Sequence, residues 1–451
     1  MLANNPFSET VMFRVSCLII VISLLYACGG GEPEQAPVAA TPEPLAAPQP
    51  GAGATAYANA TIWDGSGSAA MRNAWLLVRD GRVDSTGSGD VPAGAEVVDM
   101  GGAWIVPGFV NAHGHVSGLW ADDSITDEIA RVRASLGIYA QYGVTTVNSL
   151  GDSMDPTIVA GTREQRDHAD LNYARAYIAG SAVDGPDVAS AREAALANAA
   201  LNADYMKIRI DDNLGTTTKI SWDAVQAAFD VARQNDMPVA THIFYMDDAA
   251  MVLGMGTKLV AHSVRDQQVS DSFVQSFLDS GACLAPTLVR EVTTYMYSER
   301  PEFFSDPFFL QGANRNEMAR VTEPAYMAGV AANPSAAAYR RALQQAQDNL
   351  RILAGSGVPI AFSTDSGPGG RFPGYLEHME FVLMAEAGLT PREILLSATS
   401  VAANCLGLDD VGSLEPGKWA DFVVLAEDPL KDIRATRTLK SVYVAGNKVP
   451  R

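Results

Sequence analysis

Basic residues are scarce in this 451-residue chain. It holds 32 Lys and Arg against 52 Asp and Glu, a formal net charge of -20, which argues against nucleic acid or an anionic membrane surface as a partner, since both demand basic patches. Charge as a whole is modest at 19%, beside 47% apolar residues. That balance is globular, and the length suffices for a large core. Cysteine is rare. Cys17 and Cys28 fall near the N-terminus, leaving Cys283 and Cys405, whose apolar contexts read as small buried hydrophobes; a disulfide between them is the less favoured alternative. No glycine-rich dinucleotide fingerprint follows the first strand of the central region, which weakens a doubly wound open sheet as its fold. Only six histidines occur, so every cluster of them carries weight.

The first segment reads as a targeting signal. Arg14 precedes the apolar run Val15 to Ala27, which is too short to span a bilayer comfortably and has the length of a signal h-region. It ends in Leu25-Tyr26-Ala27-Cys28-Gly29, which resembles the lipobox of bacterial lipoproteins. The resemblance implies cleavage before Cys28, a lipid on that cysteine, and a chain exported to the periplasmic side of a bacterial membrane. An ordinary secretory signal and a membrane anchor are the alternatives. Residues 29–56, with six prolines among Ala, Gln, Glu and Gly, predict an extended tether.

Both ends of the remaining chain predict short antiparallel strands. Residues 57–106 carry runs such as Ala74-Trp75-Leu76-Leu77-Val78 cut by Asp80-Gly81, and residues 408–451 carry Phe422-Val423-Val424-Leu425 and Ser441-Val442-Tyr443-Val444. Two β-rich ends around a different middle predict one small discontinuous β-domain. The middle, 107–407, alternates strands and helices. Expected strands are Phe109 to His115, Val144 to Ser149, Tyr173 to Ile178, Tyr205 to Ile210, Pro238 to Phe244, Leu259 to Ser263, Cys283 to Val289 and Pro359 to Thr364. Expected helices include Asp127 to Tyr142, Ala189 to Asn202, Trp222 to Asn235 and Ser270 to Ser280. Eight such repeats predict an α/β chain folded as a (β/α)8 TIM barrel. An insertion at about 290–357, rich in Tyr and Phe, predicts either a lid over the site or a helical pack on the outside.

Chemistry-bearing residues gather at the ends of those strands. His113 and His115 in Val110-Asn111-Ala112-His113-Gly114-His115 lie two apart, and side chains at i and i+2 of a strand share a face. Lys207, His242, His262 and Asp365 end four further strands. Each alone has an ordinary account as a core histidine or a salt bridge. Together they put metal-competent groups at one rim. Tyr245 and Arg265 follow closely, Arg290 ends the seventh strand, and all three are candidates for substrate binding, with rim packing as the alternative for each. His168 reads as a solvated helix face and His378 as structural.

With these residues in place the chain resembles the amidohydrolase superfamily. The resemblance rests on Pro107-Gly108-Phe109-Val110-Asn111-Ala112-His113-Gly114-His115, Gly143-Val144-Thr145-Thr146-Val147, Lys207, His242, His262, Ser363-Thr364-Asp365, Ala387-Gly388-Leu389-Thr390-Pro391 and the ending Gly412 to Asp421, which looks like the β-sandwich signature of these enzymes. It is most similar to the imidazolonepropionase-like and prolidase-like branch. The resemblance implies a two-metal site: His113, His115 and Asp365 on the inner ion, His242 and His262 on the outer, and Lys207, carboxylated, bridging both. Zn²⁺ suits such donors, with Mn²⁺, Fe²⁺ and Co²⁺ as alternatives. It further implies hydrolysis of amide-type C–N bonds, in dipeptides or N-acyl amino acids, by a metal-held hydroxide, with Asp365 as general acid and base. Ester, lactone or phosphotriester hydrolysis is the alternative on the same site, and a non-catalytic binding lipoprotein the alternative of another class. The expected partners are a small-molecule substrate, a membrane only through Cys28, and a further copy of the chain is left open. Ile243-Phe244-Tyr245 and the absence of a histidine at the third strand's end depart from prolidase-like relatives.

Overall fold

The computed structural model describes residues 51–116, 120, 124–152 and 156–451. The signal segment, Cys28 and nearly all of the tether lie outside the described residues. Among the described residues no helix is long and apolar enough to cross a membrane.

The protein is α/β. Its two chain ends build one eight-stranded sheet from β1 (Thr55–Ile62), β2 (Met71–Arg79), β3 (Arg82–Ser88), β4 (Glu96–Asp99) and β5 (Trp104–Pro107). The middle contributes β6 (Phe109–Gly114), β7 (Val144–Gly151), β8 (Arg175–Ser181), β9 (Met206–Arg209), β10 (Val239–His242), β11 (Leu259–Ala261) and β12 (Cys283–Ala285). The chain then returns with β13 (Phe422–Leu425), β14 (Leu439–Val444) and β15 (Asn447–Lys448), completing the first sheet in the order β15-β14-β13-β5-β1-β2-β3, with β4 on β1. Strand β1 therefore takes in the last two residues of the expected tether. Asp80 and Gly81 both take positive φ between β2 and β3, the twist a two-residue hairpin requires. The antiparallel pairing of β5 with β13 ties the two ends together. A buried Arg175–Asp421 ion pair at 2.9 Å fastens β8 to this sheet.

The central strands form two parallel sheets, β6-β7-β8 and β9-β10-β11-β12. Strands β6 and β7 are buried along almost their whole length, as parallel strands covered on both faces must be. Isolated parallel bridges join the sheets: Val183 pairs with Ile208, Leu284 with Ile360, and Gly114 with Ser366. The expected eighth strand, Pro359 to Thr364, is extended chain without a regular ladder. It lies between β12 and β6 all the same, through Ala361 N to Leu284 O (2.8 Å) and Ala112 N to Phe362 O (2.8 Å).

Helices begin where capping side chains stand. Asp127, Asp187, Ser221 and Ser270 accept from backbone N–H groups at the starts of Glu128–Gln141, Val188–Ala200, Trp222–Gln234 and Asp271–Ser280. Two expectations need correction. The strand expected through Val289 stops at Ala285, because Pro286 offers no N–H and Thr287 turns to φ 50; Arg290 therefore sits in helix Leu288–Thr293. Cys283 and Cys405 are joined by a disulfide, with Cα atoms 5.9 Å apart. Partners separated by 122 residues cannot be matched from local context, so the reading of two separate buried thiols fails.

Candidate metal centre

The strand ends bring all six expected donors together. His113 is the second-to-last residue of β6 and His115 follows the strand; Lys207 lies in β9, His242 ends β10, His262 follows β11, and Asp365 closes the extended segment between β12 and β6. His115 Nε2 is 2.8 Å and His113 Nε2 3.5 Å from Asp365 Oδ1. Lys207 Nζ is 3.4 Å from His113 Nε2. His242 Nδ1 and His262 Nε2 stand 2.8 Å apart, and the rings of His262 and His113 are 4.9 Å apart. The ligating atoms of His113, His115 and Asp365 all lie within 4.8 Å of one another.

Backbone strain marks the same place. His262 and Asp365 adopt φ of 72° and 58°, and Thr287 beside them 50°. Left-handed geometry costs non-glycine residues about 1–3 kcal/mol each. It is held here by His262 N to Ala285 O and by Asp365 N to His113 O at 2.7 Å.

The imidazoles are also fixed from behind. His115 Nδ1 meets Asp152 (2.9 Å), His242 Nε2 meets Asp211 (3.1 Å) and His262 Nδ1 meets Thr287 Oγ1 (2.7 Å). Each ring thus turns its other nitrogen to the shared centre. Asp152 and Asp211 were not singled out from the sequence. Their one signal is position, since both follow a strand end as the donors do. Thr287 gives no such sign.

The charges are arranged for cations. Burial, helped by Lys207, holds His113 well below the ordinary imidazole value; burial also lowers His262 strongly and His242 to about 3. Burial lowers Lys207 to about 7 against the opposing pull of Asp365. Burial would lower His115 too, but Asp152 and Asp365 at its two nitrogens bring it up to about 9. Burial would raise Asp365, yet Arg371, His113 and His115 hold it well below the usual carboxylate range.

These donors fit divalent metal ions on their chemistry. Asp211 keeps the proton of His242 on Nε2, so its Nδ1 presents a lone pair to His262 Nε2 at hydrogen-bond distance. Four imidazoles, a carboxylate and an amine that burial drives toward neutrality face one small volume, the hard and borderline donor set that Zn²⁺ and its neighbours take.

The expected substrate-binding residues are placed less alike. Arg290 is at the centre, its Nε 3.6 Å from Asp365 Oδ2 and its Nη1 2.9 Å from Glu291. Arg265 is buried behind it, against Glu291 at 3.1 Å, with Nη1 donating to the carbonyls of Ile243 and Ser263. Tyr245 stands at the rim and donates to Asp212 at 2.9 Å. His378 is buried away from the cluster, between Thr436 Oγ1 and the Tyr142 carbonyl. His168 is exposed, in a turn after helix Pro156–Gln165 rather than on it. In the insertion, Phe303, Phe304, Phe308 and Phe309 pack with Phe372 and Tyr375 into a small aromatic core. The segment reaches the site through Arg290 and Glu291. Arg371 was not singled out either, and its Nη1 donates to Asp365 Oδ2 at 2.5 Å.

Comparison with known proteins points to one family. Residues 104–449 match the model of the Amidohydrolase family. The chain is 26% identical over 398 residues to an imidazolonepropionase of Deinococcus deserti, covering 84% of this chain and 92% of that protein. It is 28% identical over 379 residues to an uncharacterised protein of Mycobacterium tuberculosis, covering 78% and 86%. A structure from Bifidobacterium longum assigned as a prolidase superposes with a TM-score of 0.69 at 24% identity, covering 89% and 96%.

Proposed function

Because the chain belongs to the amidohydrolase family and is a hydrolase acting on carbon–nitrogen bonds, we propose that it cleaves the amide bond of dipeptides or N-acyl amino acids at a two-metal centre held by His113, His115, Lys207, His242, His262 and Asp365. The observation that carries this reading is that six donors from five extended segments come together while Asp152, Asp211 and Thr287 anchor three of the rings from outside. We further propose that the two parallel sheets and the segment 359–366 make up a (β/α)8 barrel. The bridges at Val183, Leu284 and Gly114 support it.

Bound divalent ions, Zn²⁺ in this proposal, would polarise the scissile carbonyl and lower the pKa of the attacking water. The chain's own groups do the rest. Asp365, kept ionised by Arg371 and the neighbouring histidines, takes a proton from the attacking water as oxygen adds to the acyl carbon. It returns that proton to the nitrogen as the C–N bond breaks, releasing an amine and a carboxylate. Lys207, lowered to about 7, is available as a free amine that carbon dioxide could carboxylate, which would supply oxygen ligands for the metal. Asn111 accepts from the His113 N–H (3.0 Å) and keeps the first histidine in place.

We also propose export and lipid attachment at Cys28. The Cys283–Cys405 disulfide supports the export, because such bonds persist in oxidising compartments.

The test is metal analysis of the purified protein with a panel of dipeptides, N-acyl amino acids, esters, lactones and phosphotriesters. About two ions per chain with amide turnover is the expected result. Turnover of esters or phosphotriesters alone, or a protein that takes up no metal, would reject it.

A further inference from the structure

Asp365 Oδ2 is approached by two guanidinium groups, and they differ in what they have left to give. Arg290 is buried, with Nη1 on Glu291 and a buried Nε that has no hydrogen-bond partner. Arg371 is partly open, its side chain 22% exposed. Only its Nη1 is engaged, with the Asp365 carboxylate and carbonyl. Among the described residues nothing bonds its Nε and Nη2, the flat two-pronged edge that matches a carboxylate.

The loop carrying Arg371 is pinned. Gly367 N donates to Arg371 O at 2.8 Å and Arg371 N to Pro368 O at 2.9 Å. The Gly370 carbonyl accepts from Tyr297 and its N–H reaches Glu317, both in the insertion. Gly367 has φ 111, and a side chain there would collide with the His115 carbonyl. The loop therefore passes directly over the first metal-competent strand end, and its guanidinium is placed before any ligand arrives.

We propose that Arg371 is the specificity-determining residue of this site and that its free edge binds a carboxylate on the substrate, so that the enzyme selects acyl amino acids or dipeptides with a free carboxylate over neutral amides. This rests on the hydrolase reading given above. Arg290, fixed by Glu291 behind Asp365, supports the field without contacting the substrate.

The experiment compares wild type, Arg371→Ala and Arg371→Lys in two ways. Turnover is measured on a dipeptide and on its C-terminal carboxamide, with KM and kcat separated. Binding is measured by calorimetry with a non-cleavable N-benzyl amino acid and its carboxamide, and metal content is checked for each protein. Wild type is expected to favour the carboxylate form by about 10- to 100-fold, the worth of a charge-assisted hydrogen-bond pair. In Arg371→Ala that ratio should collapse to near one, mainly through KM and binding, while metal content holds; Arg371→Lys should fall between. Equal losses on both ligands, as a purely structural contact to Asp365 would give, or a wild type without preference, overturn the proposal. If calorimetry shows the preference and its loss but no amide is hydrolysed, the carboxylate site stands and the hydrolase reading falls.

Discussion

Glu377 sits directly behind the metal-competent residues without touching the centre itself. It is fully buried in helix Tyr375–Glu386. Its Oε1 accepts from Asn111 Nδ2 (2.8 Å), Thr364 Oγ1 (2.8 Å) and Ser366 Oγ (2.5 Å). Asn111 in turn holds the His113 N–H, and the Ser366 carbonyl accepts from His115 N at 2.8 Å. One carboxyl thus couples the strand ends that carry His113, His115 and Asp365. In Glu377→Leu three donors lose their acceptor. The two hydroxyls still bond each other at 2.9 Å, so one or two donors are left unsatisfied, about 2–5 kcal/mol. At about 2.1 cal/mol/K of unfolding entropy per residue, roughly 400 folded residues convert that into a fall of about 2–6 °C in Tm. Differential scanning fluorimetry reads the shift, and metal analysis should show reduced loading. Glu377→Gln, which keeps one acceptor oxygen, should lose less. A leucine variant within about 1 °C of wild type and with full metal content would refute the coupling.

Asp365→Asn should abolish amide turnover while metal stays bound, since the amide oxygen remains a ligand but no longer takes a proton; an active variant removes Asp365 from its role. Lys207→Ala should cut metal content below that of wild type, as read by elemental analysis. Cys405→Ser opens a covalent loop spanning 122 residues, worth up to about 5 kcal/mol by chain entropy, or a fall of about 6 °C in Tm; an unchanged Tm under reducing conditions counts against it. Glu380, buried and accepting from the Leu288 and Val289 N–H groups, is pushed up to about 8 from the usual 4.5. Its stabilising contribution is therefore complete below about pH 4.5 and lost as pH rises through about 8. The Tm of Glu380→Gln should fall less than that of wild type between those limits, and parallel Tm curves would show that Glu380 does not titrate there.

The donors were legible because their signals are local. A His-x-His at a strand end, four more metal-competent residues at strand ends and a repeat of strand and helix can all be read along the chain. The capping residues Asp127, Asp187, Ser221 and Ser270 likewise mark helix starts without any tertiary knowledge. What escaped depends on distant chain. Asp152 and Asp211 are common residues whose meaning appears only beside a histidine from another strand. Arg371 follows a glycine-rich loop that folds back over His115. Arg290 was set on a strand because its apolar neighbours allow either structure, and the Pro286 and Thr287 turn decided for a helix. The eighth segment meets its neighbours through single bridges, so its apolar pattern outran its ladder.

The bond between Cys283 and Cys405 encloses the aromatic insertion, Asp365 and Arg371 within one covalent ring. A protease that cuts an exposed turn inside that ring leaves two fragments that cannot diffuse apart. Such a nicked molecule runs as a single species without reductant and separates only with it, so a cut in the segment that carries Asp365 and Arg371 does not part them from the rest of the chain.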